Sequence, residues 1–349
     1  MYRNTYANIN LNNIKYNVNK IINKYDNYKY YIGVVKADSY GHNGDEVIKA
    51  IIDGGCNYLA VSSLDEAICI RKNFDIPILC LGIINPIYMD ICEKNNIDIT
   101  VDSLEYLKQI KNNKLNIHLK IDTGMNRLGI KEKCEFNNII KEIDNSNLKI
   151  KGIYTHIYEA SNNENTKIQI DRFKEITSDI NLNDIDIVHI AQSDTLINYP
   201  KIDFCNGCRL GIIMYGLTND DLNLKNTIEL VSEVIEIKKI KKGETVSYNG
   251  TYKALKDELI GVVSIGYADG VNRLLKGSYV YINNKKYEII GNICMDMLMI
   301  KIDDSVKLYD KVYIYKDIDH IKYLSNYLNT IPYELICNIS KRVERKYIK

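Results

Sequence analysis

Eight short apolar runs recur at residues 30–36, 58–62, 77–82, 97–101, 117–122, 150–156, 187–191 and 208–215. Each is short and bounded by polar residues, and several are apolar without alternation, as in strands buried on both faces. Helix-like stretches lie between them, at 45–52, 63–73, 104–111, 135–143 and 169–180, with apolar residues at helical spacing. A strand followed by a helix, repeated about eight times, is the pattern that closes a (β/α)8 barrel. The expected fold class is therefore α/β, a TIM barrel.

The rhythm changes after Leu217. Residues 227–239, 258–265, 278–282, 286–290, 297–302 and 311–315 read as strands without regular helices between them, and Asn283-Asn284 is a hairpin signal. The expectation is a barrel over residues 11–224, followed by a β-rich domain over 225–349. The alternating run 5–11, which precedes a helix at 12–22, is expected to place a strand within residues 1–10 that joins this second domain. The 349 residues suffice for both. No run reaches the length of a membrane span.

Lysine and arginine number 46 against 45 acidic residues, for a net charge of +1, and they are scattered, so no nucleic-acid partner is implied. Nine cysteines lie mostly in apolar runs with no secretory leader before them, which reads as reduced thiols in the cytoplasm. Cys205 and Cys208 have redox or metal spacing but no second pair, and no metal site is expected. With 28 tyrosines against 4 phenylalanines, a single tyrosine carries little information.

Barrel chemistry gathers at the carboxyl ends of the strands. Those ends supply Lys36, then Asp122-Thr123-Gly124 with Arg127, then His156, Gln192-Ser193 and Arg209. Singly, Arg127 reads as a surface arginine, His156 as a satisfied core histidine and Lys36 as a snorkelling strand-end lysine. Together they suit an anionic, aromatic ligand.

The blocks VVKADSYGH (34–42), KIDTGMNRLG (120–129), IYTHI (153–157), RLGIIMYGL (209–217), VSYNGTY (246–252), IGYADG (265–270) and GNICMDM (291–297) resemble the alanine racemase family, in the right order along nearly the whole chain. The resemblance implies an enzyme that interconverts L- and D-alanine with pyridoxal 5′-phosphate (PLP) and supplies D-alanine for peptidoglycan. It implies that Lys36 holds PLP as a Schiff base. Tyr40, Ser193, Gly211 and Ile212 would hold the phosphate, the last two through backbone N–H groups. Arg209 would face the pyridine nitrogen, and His156 would lie against the cofactor.

Tyr248 would be the second acid/base group, contributed by the other subunit of a homodimer. Arg127 would stand near the substrate carboxylate, and Lys120 matches a lysine that some members carry as a carbamate. Tyr267, Met295 and Asp296 would line the substrate side from the partner subunit. Departures bear on substrate breadth. Lys341 stands where the family has tyrosine, a position that is also not tyrosine in related racemases accepting serine. Ala191-Gln192-Ser193-Asp194 replaces small-Asn-Ser-Ala, Met297 stands where glutamine is frequent, and residues 158–165 diverge. A serine or broad-specificity racemase is the alternative. A non-catalytic PLP-binding protein is a rival that would lack the second domain, and a PLP decarboxylase of similar fold is another.

Overall fold

The computed structural model describes residues 2–218 and 222–349. Met1 and residues 219–221, which fall in the two N-terminal ranges expected above, lie outside the described residues. Strand β1 (Tyr6–Asn10) leads into the helix Leu11–Lys24, capped by the Asn10 side chain, which accepts the Asn13 N–H at 2.8 Å.

Eight parallel strands follow: β2 (Tyr30–Val34), β3 (Tyr58–Val61), β4 (Ile78–Cys80), β5 (Ile97–Val101), β6 (Asn116–Lys120), β7 (Lys149–Tyr154), β8 (Ile187–His189) and β9 (Gly207–Leu210). They close into a barrel, β9 returning to β2 with Tyr31 opposite Cys208. Residues on both strand faces are buried, one side filling the lumen and the other lying under helices, which is why the runs read as apolar without alternation. Ser63 and Ser103 cap two of those helices, Leu64–Arg71 and Leu104–Ile110.

The remaining strands are β10 (Ile228–Ile240), β11 (Thr245–Val246), β12 (Tyr252–Lys253), β13 (Glu258–Val263), β14 (Tyr279–Ile282), β15 (Lys285–Ile290), β16 (Leu298–Ile302), β17 (Lys311–Tyr315) and β18 (Glu344–Ile348). Eight strands share one sheet, in the order β13-β16-β15-β14-β17-β10-β1-β18, and β10 also pairs with β13. The long β10 accomplishes this by pairing with β1 and β17 through its first half and with β13 through its second. The β14–β15 hairpin turns on Asn283 and Asn284, both at positive φ as a type I′ turn demands.

Two expectations are corrected. The eighth apolar run does not stay extended to Tyr215: β9 stops at Leu210, and Ile212–Tyr215 is a 3-10 turn. A buried turn is as apolar as a buried strand, so the pattern alone does not separate them. The first run likewise ends at Val34, before Lys36. Beyond the last expected strand, the β-rich domain also holds two helices, Ile318–Tyr327 and Pro332–Cys337. Asp317 caps the first and Pro332 opens the second.

Candidate active site

Lys36 leaves the barrel on an unusual backbone. Ala37, Asp38, Ser39 and Tyr40 all lie in the left-handed region, with φ of 53° to 55°, and Gly41 follows at 77°. For L-residues other than glycine this conformation costs roughly 1–2 kcal/mol each, so other contacts must hold the turn. The Glu66 carboxylate accepts the Ala37 N–H at 2.7 Å and the Ser62 N–H at 2.8 Å. Arg345, on β18, donates twice to the Gly41 carbonyl at 3.0 and 3.1 Å. A Cβ at position 41 would lie 2.1 Å from the Ile336 carbonyl oxygen, so only glycine fits there.

The Lys36 amine opens into a cavity of about 390 Å³ at the mouth of the barrel. Its wall includes every barrel residue singled out for the site except the loop anchors Asp122, Thr123 and Gly124: Lys36, Tyr40, Lys120, Arg127, His156, Gln192, Ser193, Arg209, Gly211 and Ile212. Burial, and next the Arg127 charge, lower the Lys36 pKa, with Glu66 pulling the other way. Lys120 is lowered to about 8 by burial and then by Arg127 and Arg209. His156 is lowered to about 3, by burial first and then by Arg209, Arg127, Lys120 and Lys36, so its ring is neutral near pH 7.

Arg127 rides on a loop closed by the Ile121–Ile130 bridge, inside which Asp122 accepts the Gly124 and Asn126 N–H groups. Arg209 is buried on β9. One terminal nitrogen donates to His189 Nδ1 and to the His189 carbonyl, both at 2.7 Å; the other donates to the carbonyls of Thr155 at 2.8 Å and Ile190 at 3.1 Å. Its Nε–H is then the one guanidinium donor with no partner among the described residues, and the side chain lines the cavity. Burial lowers Arg209 to about 10, which leaves it charged near neutrality.

Beside it, the Ser193 hydroxyl accepts the Gly211 N–H at 3.0 Å. A Cβ on Gly211 would lie 3.0 Å from the Tyr40 hydroxyl and 3.3 Å from Ser193 Oγ, filling the small polar cradle between them. Ile212 begins the 3-10 turn, where helix-start amides have no acceptor of their own. Hydroxyls and amides converging on one spot suit a phosphate, and a lone guanidinium N–H suits a ring-nitrogen acceptor. PLP has both, and the amine of Lys36 stands ready for its aldehyde; the residues present fit that cofactor.

Tyr248, Tyr267, Met295 and Asp296 are not in this cavity. They cluster instead on the second domain. Asn292 Nδ2 donates to the Tyr248 carbonyl at 2.9 Å, Ser247 Oγ to the Asn292 carbonyl, and the Tyr267 and Ala268 N–H groups to the carbonyls of Cys294 and Met295. Three loops are thereby tied together, and they present Tyr248, 70% exposed, with Tyr267 and Met295 on one surface. Asp296 accepts from Arg342 at 2.6 Å, and Arg342 also binds the buried Asp269.

Several cavity residues escaped sequence reading. Tyr333 comes from the unexpected second C-terminal helix, its ring 5.9 Å from that of Tyr40. Asp194 and Tyr154 also line the wall; both fall inside quoted stretches, 191–194 and 153–157, but were given no role there. Glu66 carried no signal beyond its place in a helix's first turn. Lys341 is exposed and lies 3.5 Å from Asp38, two residues after Lys36. Cys205 and Cys208 are buried free thiols, and burial pushes both up.

The family profile described as "Alanine racemase, N-terminal domain" matches residues 9–219, and "Alanine racemase, C-terminal domain" matches residues 227–347. Alanine racemase 1 of Bacillus subtilis is 39% identical over 370 residues, spanning 100% of this chain and 94% of that one. Alanine racemase 1 of Clostridium acetobutylicum is 37% identical over 374 residues, spanning 99% and 96%. The crystal structure of alanine racemase from Bacillus anthracis with bound L-Ala-P superposes with a TM-score of 0.93, at 32% identity, over 100% of this chain and 96% of that one. A histidine racemase from Leuconostoc mesenteroides, 23% identical, shares the fold with a TM-score of 0.91.

Proposed function

Because the chain belongs to the alanine racemase family, we propose that its isomerase activity uses PLP in the barrel-mouth cavity, with Lys36 and Tyr248 transferring protons on opposite faces of the substrate Cα. The chain is an alanine racemase, an isomerase that interconverts L- and D-alanine. Residues 11–224 then act as the cofactor-binding barrel and 225–349 as the domain that completes a neighbour's site.

The cofactor, when bound, supplies the electron sink for the pair released as the Cα–H bond breaks. Lys36, with its amine lowered by burial and Arg127, accepts or returns a proton on one face. Arg209 remains a donor throughout because it does not give up its proton near neutrality, which keeps an acceptor nitrogen opposite it unprotonated. Ser193, Tyr40, Gly211 and Ile212 would hold the cofactor's phosphate. His156, neutral, packs at the cavity wall. Arg127 has no carboxylate partner among the described residues; it is placed to orient a substrate carboxylate. Lys120 as a carbamate would supply the anion that this pair of cations lacks.

The observation that carries the reading is the convergence of the Lys36 amine, the single free Arg209 N–H and the Ser193–Gly211 cradle in one cavity. Tyr248, exposed on the other domain, supports a homodimer whose partner subunit brings that phenol to the mouth. Free buried cysteines support a reducing cytoplasmic setting, and D-alanine supports a role in supplying peptidoglycan. No helix among the described residues is long and apolar enough to cross a membrane. Lys341, in place of the family tyrosine, favours testing serine alongside alanine.

The experiment is purified protein with PLP, assayed against L-alanine and L-serine by chiral product analysis, with borohydride reduction and peptide mapping. Racemised alanine and a cofactor mass on Lys36 are expected. Carbon dioxide release from lysine or ornithine, or PLP binding without any racemisation, would overturn the reading.

A further inference from the structure

A file of buried polar side chains crosses the barrel lumen beneath Arg209, and the proposed mechanism uses none of it. His189 on β8, His118 on β6 and Tyr58 on β3 are at most 1% exposed, and Asp98 on β5 is 5% exposed. His189 Nδ1 lies 2.7 Å from the Arg209 guanidinium, and His189 Nε2 lies 3.0 Å from His118 Nδ1. His118 Nε2 lies 3.4 Å from the Tyr58 hydroxyl, which donates to Asp98 Oδ2. The other Asp98 oxygen accepts from Asn116 Nδ2 at 3.0 Å.

The proton positions follow from the two ends. A guanidinium only donates, so His189 Nδ1 must accept. A neutral imidazole carries its proton on the other nitrogen, so His189 Nε2–H donates to His118 Nδ1. The same step puts the His118 proton on Nε2, facing the Tyr58 oxygen. Tyr58 then spends its own proton on Asp98, which as a carboxylate only accepts. Reversing either imidazole would set one N–H against another donor at 2.7 or 3.0 Å.

We propose that Asp98 is the remote anionic partner of Arg209, joined to it by a one-way file of hydrogen bonds through His189, His118 and Tyr58 that fixes the guanidinium plane. Asp98, Tyr58 and His118 are thereby positioning residues for Arg209, acting without touching the substrate. Burial keeps both rings neutral, as the file requires: His118 faces Arg209, Lys151, Tyr58 and Asp98, and His189 faces Arg209 and His118. Tyr154 stacks on His189 at 4.6 Å and lies 5.3 Å from the Arg209 guanidinium, closing the remaining side. Burial raises the Asp98 carboxyl above its ordinary range, and Tyr58, Asn116, Lys151 and Arg71 oppose that rise by favouring the carboxylate.

The catalytic meaning of the file rests on Arg209 being the cofactor-ring contact, but the proton order does not. Long-range proton–nitrogen NMR of the full-length chain, labelled at histidine, reads the tautomers with and without PLP. Both His118 and His189 are expected to carry a proton on Nε2 alone, unchanged from pH 6 to 9. A protonated Nδ1 on either would overturn the inference, whether or not PLP binds Lys36.

Asp98→Asn and Tyr58→Phe, assayed in the holoenzyme, are each expected to lower kcat/KM for L-alanine about tenfold, and the double variant no further than the worse single. Additive losses, or wild-type rates in both, would overturn it. Should one variant fail to fold, the other and the native tautomers still decide.

Discussion

The Glu66 carboxylate lies 2.7 Å from the backbone nitrogen of Ala37, the residue that follows the catalytic lysine candidate. It is the side chain that grips the start of four consecutive left-handed residues, and it bridges them to Ser62 beyond the end of β3. Glu66→Ala leaves the Ala37 N–H without that acceptor. A loss of about 1–3 kcal/mol in stability is expected, together with weaker PLP retention, measured by urea unfolding and cofactor release. Unchanged retention would show that the turn holds itself.

Tyr248→Phe is expected to reduce racemisation about 100-fold or more, the usual scale for a lost acid/base group. Lys36→Ala should be inactive. Because Tyr248 stands outside its own chain's cavity, mixing the two inactive variants should restore activity through hybrid dimers, each with one intact site. Failure to complement in a preparation shown by sedimentation to be mixed dimers would rule out sharing.

Lys120, lowered to about 8, is half neutral at pH 8, where ordinary lysines are charged. The neutral amine is the form that captures carbon dioxide. Protein equilibrated with carbon-13 bicarbonate is expected to show a carbamate signal that grows as pH rises through about 8 and is missing in Lys120→Ala. A lysine in its ordinary range would form little carbamate until well above that pH.

All five histidines are held below the ordinary imidazole value: His42 and His320 at about 4, His118 and His156 at about 3, and His189 well below its usual range, with burial the largest cause in each. Unfolded histidines take up protons below about 6.5 while the folded ones do not. The unfolded state therefore binds more protons in that window, and stability falls as pH drops below about 6.5. Urea midpoints should decline from pH 7 to pH 5; a flat profile would contradict the burial.

Lys341→Tyr replaces an ammonium 3.5 Å from Asp38 with the residue usual in the family. The ratio of kcat/KM for serine to that for alanine is expected to fall, read by chiral chromatography with both substrates. A ratio that stays constant would remove Lys341 from the specificity question.

What the sequence determined by itself was local. Uninterrupted apolar runs mark strands covered on both faces, so eight of them announce a barrel, and strand ends place Lys36, Arg127, His156, Ser193 and Arg209 at one rim. Tertiary structure alone decided three other matters. The left-handed turn after Lys36 goes against the preference of its own residues and is held by Glu66 and by Arg345, 304 positions from Gly41. The proton order at His189 and His118 is imposed by a guanidinium and a carboxylate on other strands. Tyr248 is kept out of its own chain's cavity on a loop tied to Asn292, 44 positions away. Each depends on free energies between residues far apart in the chain, and no window of neighbouring residues contains both members of such a pair.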